Sequence, residues 1–248
     1  MNLWTQFMDI LYPPRCAVCR EFLVQNPVLE HPAALPFCAA CASDFHPIAP
    51  PLCPICGAPF ESTTQDDNHP CGACLTQRPR YHAAGAPYAY DGTLREAVYG
   101  FKYGQKAFLA DALGPLLAAF AKVWIKGETP QLVMPVPLHP KRLRERGFNQ
   151  SLLLAQPVAK VLDAQIDFLS LRRIKHTLPQ TRLTKDKRRK NIQGAFQVVD
   201  ASIVRQKSIL LVDDVATTGS TLNECTRVLK SAGAGRVYCL TLARATPL

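Results

Sequence analysis

"ILLVDDVATTGST", residues 209–221, decides the fold. It begins as an unbroken apolar run, Ile209 to Val212, of the kind presented by a strand buried on both faces of a parallel sheet. It ends in Ala216-Thr217-Thr218-Gly219-Ser220-Thr221, a loop that opens a helix. Backbone N–H groups and hydroxyls converge there, and the helix N-terminus favours an anion. Between strand and loop stand Asp213 and Asp214. Two carboxylates beside a phosphate cradle would repel a bare phosphate. They suit a ligand whose vicinal hydroxyls lie a short way from its phosphate, which describes a ribose 5-phosphate. A plain helix N-cap, worth about 1 kcal/mol, would need only one acid and leaves the hydroxyl-rich loop unexplained.

Outward from this stretch, strands and helices alternate. "AAGAPYAY" (83–90) reads as a strand, 92–104 as a helix, and 107–125 as a longer apolar helix. "QLVMPVPL" (131–138) reads as a buried strand, and 148–162 as a helix bent at Pro157. "IDFLSLRR" (166–173) and "KSILLVDD" (207–214) read as strands, then comes a helix after Gly219, then a last strand in "RVYCLTLAR" (236–244). The pattern predicts an α/β fold: a parallel sheet flanked by helices, whose ligands bind beyond the carboxyl ends of the strands. That rule brings "VDDVATTGST" and "PVPLHPKR" to one edge.

The first third of the chain differs. Cysteines fall at 16 and 19, 38 and 41, 53 and 56, and 71 and 74, four CxxC pairs, while Cys225 and Cys239 sit in helix and strand patterns and read as core. Without an export signal, such spacing points to metal ahead of disulfides, redox-active thiols or an iron–sulfur cluster. Two pairs complete a tetrahedron of sulfur ligands for structural Zn²⁺. Pairing in sequence order gives one site from 16/19 with 38/41 and a second from 53/56 with 71/74; a crossed pairing of 16/19 with 53/56 is also geometrically possible. His31, His46 and His69 lie among the cysteines, and His69 could replace one ligand. Twelve prolines before residue 80 leave little for a core of its own, so metal supplies the folding energy. The expected organisation is an amphipathic helix over 1–15, a double zinc ribbon over 16–78 and the α/β domain over 79–248. The opening helix carries Leu3, Trp4, Phe7, Met8 and Leu11 on one face, and the start of the chain makes a poor signal peptide. No stretch reads as the roughly 18 uncharged apolar residues of a membrane span, and a cytoplasmic location is expected.

Charge divides the chain in the same place. The net charge is +10, yet residues 1–78 hold three arginines against seven acids. The basic remainder is suited to phosphates or nucleic acid. Its densest run is 172–190, in which nine residues are Lys or Arg and Asp186 is the only acid.

Several motifs carry a resemblance. "ILLVDDVATTGST" is similar to the phosphoribosyl-pyrophosphate (PRPP) motif of type I phosphoribosyltransferases. "GFKYGQK" (100–106), "MPVPLHPKRLRERGFNQS" (134–151) and "QTRLTKDKRRKNIQGAFQV" (180–198) resemble landmarks of the ComF/GntX competence-protein family. That family joins a cysteine-rich zinc domain to a phosphoribosyltransferase-like domain and is implicated in natural transformation and DNA use. The resemblance implies that Asp213 and Asp214 hold ribose hydroxyls and that Ala216, Thr217, Thr218, Gly219, Ser220 and Thr221 hold the 5-phosphate. It implies a pyrophosphate loop at Val136, Pro137, Leu138, His139 and Lys141, with Mg²⁺ bridging to the ribose and Lys102 close by. The segment 180–194 corresponds to the mobile loop of these enzymes, with Arg182 and Lys185 as candidates for neutralising the leaving group. Arg142, Arg144, Arg146, Lys187, Arg188, Arg189 and Lys190 would form a track for single-stranded DNA. An acceptor would be stacked by aromatics among Tyr88, Tyr90, Tyr99, Phe101 and Tyr103. Three functions follow: a PRPP-binding protein handling incoming single-stranded DNA, an active transferase, or an adaptor whose zinc domain docks a DNA-translocating partner.

Overall fold

The computed structural model describes residues 12–23, 36–60, 68–104, 106–127, 129–177 and 191–245. Most of the helix expected over 1–15 lies outside these residues, as do Arg182, Lys185, Lys187, Arg188, Arg189 and Lys190.

The apolar run at 209 becomes the central strand of a sheet. In chain order the strands are β1 (Ala83–Gly85), β2 (Tyr88–Ala89), β3 (Leu132–Pro135), β4 (Gln165–Ile166), β5 (Leu171–Arg173), β6 (Phe196–Val198), β7 (Ile209–Ala216) and β8 (Val237–Arg244). The main sheet runs β1-β8-β7-β3-β4, with β2 also on β8, and every pair is parallel. Parallel neighbours need crossovers, and helices supply them. The described helices are α1 (Ala39–Ser43) and α2 (Gly72–Thr76), both ahead of the sheet among the cysteines, then α3 (Gly92–Tyr103), α4 (Ala110–Trp124), α5 (Pro140–Arg146), α6 (Gln150–Val161), α7 (Ala201–Val204) and α8 (Ser220–Ser231).

Alternation along β7 and β8 divides the core into two layers. Leu210, Val212, Leu240 and Leu242 face α3, α4 and α6. Ile209, Leu211, Val237 and Cys239 face α8, whose Leu222, Cys225 and Leu229 are buried against them. Cys225 and Cys239 are core residues, as their patterns suggested.

Ala107–Trp124 is, contrary to expectation, long and apolar enough to cross a membrane by length and composition. Here its face of Leu109, Leu113, Leu117 and Ala121 is buried within the protein. At Gly114 an added Cβ would stand 2.8 Å from the Pro157 ring of α6, so that glycine permits the close approach of α4 and α6.

The strand boundaries depart from the sequence reading in instructive ways. "AAGAPYAY" breaks into β1 and β2, because Pro87 offers no N–H to the ladder. "IDFLSLRR" divides between two sheets. Ile166 stays in the main sheet, but Asp167 accepts bonds from the N–H groups of Leu169 and Ser170, and the turn delivers Leu171–Arg173 to an antiparallel pairing with β6. β7 runs four residues beyond Val212, carrying both aspartates inside the strand.

Candidate functional site

Asp213 and Asp214 project in opposite senses from β7, at its carboxyl end. Gly219, not either acid, occupies the N-cap of α8, so the N-cap explanation of the acidic pair fails. Asp214 is 3 % exposed. Its Oδ1 lies 3.0 Å from Lys102 Nζ, while its Oδ2 is buried with no partner. Asp213 Oδ1 accepts from Ser151 Oγ at 2.8 Å and from the Asp214 N–H at 2.9 Å. Burial and the Asp214 charge push the Asp213 carboxyl up to about 7, against the opposing pull of Lys102 and Ser151. Burial disfavours the Lys102 ammonium, but the two carboxylates outweigh it and hold that group above its ordinary value.

Each of these groups is delivered by a different element. Lys102 sits in the last turn of α3. Asp44 anchors the start of that helix: its Oδ2 accepts from the Thr93 N–H at 2.8 Å and from Thr93 Oγ1 at 2.7 Å. Ser151 lies in the first turn of α6, whose N-cap, Asn149, accepts from the Ser151 N–H and donates through Nδ2 to the Val136 carbonyl. Asn149 thereby fastens α6 to the loop after β3.

These elements enclose a cavity of about 510 Å³ at the carboxyl edge of the sheet. Asp213, Asp214, Thr217, Thr221 and Lys102 line it, together with Val136, Pro137, Leu138 and His139. Arg142 and Arg146 complete a cationic wall, Arg146 bonding Gln150 Oε1 and lying 5.4 Å from the Tyr103 ring. Other nominated residues stand back. Lys141 and Arg144 are exposed outside the lining; Ala216 ends β7, Thr218 and Gly219 make the turn, and Ser220 opens α8, none of them in the lining. There Gly219 takes φ +70°, and Thr218 Oγ1 and Ser220 Oγ are 2.8 Å apart.

His139 caps α5, its Nδ1 accepting from the Lys141 N–H at 3.2 Å. Burial, His176 and the cations Arg173, Arg144 and Lys141 depress its pKa. Of the candidate aromatics, Phe101 is core and Tyr88 packs on Phe45. Tyr90 and Tyr103 line the cavity, and Tyr99 lies beside Tyr103 at 5.0 Å. Sequence reasoning missed Ser151, Asn149, Arg173, His176 and Thr177 as site residues. The basic run at 172–190 was a signal for Arg173, and the motif at 134–151 contained Asn149 and Ser151 without giving either a role.

The eight ribbon cysteines assemble in sequence order, Cys16, Cys19, Cys38 and Cys41 in one group and Cys53, Cys56, Cys71 and Cys74 in the other, each with sulfurs within 4.8 Å of one another. The crossed pairing does not occur. Separations of 3.6 Å for Cys19–Cys38 and 3.7 Å for Cys56–Cys71 match a tetrahedron with Zn–S bonds of about 2.3 Å. None of the ten cysteines is in a disulfide. The Cys71 N–H points at Cys53 Sγ, 3.3 Å away, as a thiolate ligand invites. Both groups therefore fit Zn²⁺. His69 stacks on Phe60 and joins neither.

Two family models match the chain. Residues 7–75 match the model of a double zinc ribbon domain, and 149–246 match that of a phosphoribosyl transferase domain. The chain is 34 % identical to competence protein F of Haemophilus influenzae over 179 residues, covering 71 % of this chain and 78 % of that one. It is 33 % identical to the DNA utilization protein YhgH of Escherichia coli K12, covering 69 % and 77 %. Among solved structures, purine phosphoribosyltransferase from Pyrococcus horikoshii aligns with 54 % of this chain and 72 % of its own, at 16 % identity and a TM-score of 0.34.

Proposed function

The chain belongs to the competence protein F family, and from that premise we propose that it binds PRPP with Mg²⁺ and serves the uptake and use of DNA. One observation carries the reading: a buried aspartate, fixed on one oxygen by Lys102 and unpartnered on the other, beside a second aspartate and a hydroxyl-rich helix N-terminus. A sugar with two adjacent hydroxyls supplies the missing donors, and its 5-phosphate reaches the Thr217–Thr221 segment.

In this reading Asp213 and Asp214 hold the ribose. The loop from Ala216 through Gly219 and Ser220 to Thr221 cradles the phosphate, and Val136–His139 with Arg142 and Arg146 receives the pyrophosphate. Lys102 orients Asp214. Mg²⁺ carried on the pyrophosphate would spread its charge. Arg182 and Lys185 would close over the anion; Arg144 with Lys187, Arg188, Arg189 and Lys190 would extend a track along single-stranded DNA, with binding that weakens steeply as salt rises. The zinc ribbons, over 16–78, are structural and offer a protein-docking surface, and the α/β domain occupies 79–248 in a cytoplasmic protein.

A transferase is the second reading, favoured by Tyr103, half-exposed at the cavity wall beside Lys102, on which an acceptor ring could stack. The test for both begins with calorimetric titration of Mg²⁺–PRPP into wild type and Asp213→Asn/Asp214→Asn. Binding that the double variant loses supports the proposal, and pyrophosphate release on adding nucleobases or DNA would then select the second reading. A wild type that takes up no PRPP sinks both.

A further inference from the structure

The second tetracysteine group is built into the back of the anion loop. Tyr81, 5 % exposed, shares an apolar cluster with Cys53, Ile55, Cys56 and Cys74 on one side and with Ala216 and Leu222 on the other. Its hydroxyl lies 3.3 Å from where a Cβ on Gly219 would stand, so Tyr81 touches the turn of the loop. Arg244, the last residue of β8, pairs in register with Ala216, the last residue of β7. It donates through Nη1 to the Cys56 carbonyl at 2.7 Å and through Nη2 to Cys56 Sγ at 3.6 Å. The ribbon is also stitched to β1 by the Ala84 N–H to Ile55 carbonyl bond, and at Gly57 any Cβ would collide with the Ala84 carbonyl oxygen at 2.5 Å. The Arg80 N–H reaches Asn223 Oδ1 at 2.7 Å, in the first turn of α8.

The charge on Arg244 gives this contact its sense. Its Nε is buried without a partner, and among the described residues no carboxylate lies in ion-pair range of it. A zinc held by four thiolates is formally dianionic and answers that guanidinium. When zinc leaves, the tetrahedral constraint that fixes Cys56 against Arg244 goes with it.

We infer that the second tetracysteine centre is the buttress of the Thr217–Thr221 loop, and that Arg244 and Tyr81 are positioning residues through which its metal occupancy sets the order of that loop. Among the described residues no such contact joins the first centre to that loop: it packs against the α3 and α4 side, its neighbouring Ala17 carbonyl accepting from Lys106 Nζ at 2.7 Å. The inference holds whatever ligand the loop takes.

Hydrogen exchange on the full zinc-loaded chain tests it. Zinc is withdrawn stepwise with a chelator, peptides spanning 53–74 and 16–41 reporting which centre has opened. Opening the second centre is expected to speed exchange over 216–222 by about tenfold or more while 110–124 stays protected. Opening the first leaves 216–222 unchanged. Arg244→Met should reproduce the loop effect with zinc still bound and should speed zinc transfer from the second centre, and Arg244→Lys should restore part of both. Exchange over 216–222 that ignores the second centre, in wild type stripped of its zinc, overturns the inference even where the Arg244 variants fail to fold.

Discussion

Replacing Lys102 by Met keeps the length and apolar stem of the side chain but strands Asp214. The pair is 3.0 Å apart, with the lysine side chain 20 % exposed and the aspartate side chain 4 %. At an effective dielectric constant of about 20, that separation corresponds to roughly 5 kcal/mol of gross attraction. Removing the ammonium also removes its own desolvation penalty, so the net loss is smaller, about 3 kcal/mol at pH 8, at the lower end for breaking a buried pair from one side. The sign with pH follows. In the variant, Asp214 sits buried with Oδ2 already unpartnered and Asp213 adjacent, so a carboxylate there is left without its counterion. The penalty belongs to the charged form alone, so it is largest at pH 8 and small at pH 4, near the ordinary carboxylate range. Urea unfolding should show a midpoint lower by about 1 M at pH 8 and scarcely changed at pH 4, with m unaltered. Adding Asp214→Asn to Lys102→Met should recover most of the loss. A deficit that is the same at both pH values, or that Asp214→Asn fails to relieve, would refute the reasoning.

Three other outcomes follow from the same structure. Asp213, held up to about 7 in the folded state, opposes folding increasingly from pH 4 to pH 7; Asp213→Asn should stabilise at pH 8, by at most about 4 kcal/mol, and be neutral at pH 4, measured by thermal melts. Asp44→Ala removes the acceptor at the start of α3; its hydrogen bonds from Thr93 hold the Asp44 carboxyl below its ordinary value, so the melting point should fall by a few degrees at pH 7, and the deficit should shrink as pH drops below the ordinary carboxylate range of about 4. Native mass spectrometry should find two zinc ions per chain, and their removal should unfold 36–60 and 68–78 by hydrogen exchange while α4 persists.

The sequence disclosed what was local. The apolar run at 209, the alternation of strand and helix and the CxxC spacing each follow from neighbours a few residues apart, and the sheet order and the two sulfur tetrahedra agree with them. The acids of β7 and the Thr217–Thr221 segment were legible for the same reason. Ser151 was not, because its partner Asp213 lies 62 residues away and only the crossover of α6 joins them. Arg244 was equally hidden: it ends an ordinary apolar strand, and its contact with Cys56 spans 188 residues. Lys102 was placed near the ligand by its motif, but its partner proved to be Asp214, which requires α3 to end over β7. Where Asp167 turns the chain out of the main sheet, a single side chain overrode the strand propensity of its neighbours.

The central claim is that the acidic pair reads two adjacent hydroxyls while the loop beyond it holds a phosphate. Competitive calorimetry with ribose 5-phosphate and 2-deoxyribose 5-phosphate tests it most directly, because the two ligands share everything but one hydroxyl. A hydrogen bond to a charged carboxylate contributes about 1.5–3 kcal/mol, so the ribose compound should bind about tenfold to a hundredfold more tightly, and Asp213→Asn/Asp214→Asn should erase the difference. Equal affinities in the wild type, or a preference that survives the double substitution, would contradict it.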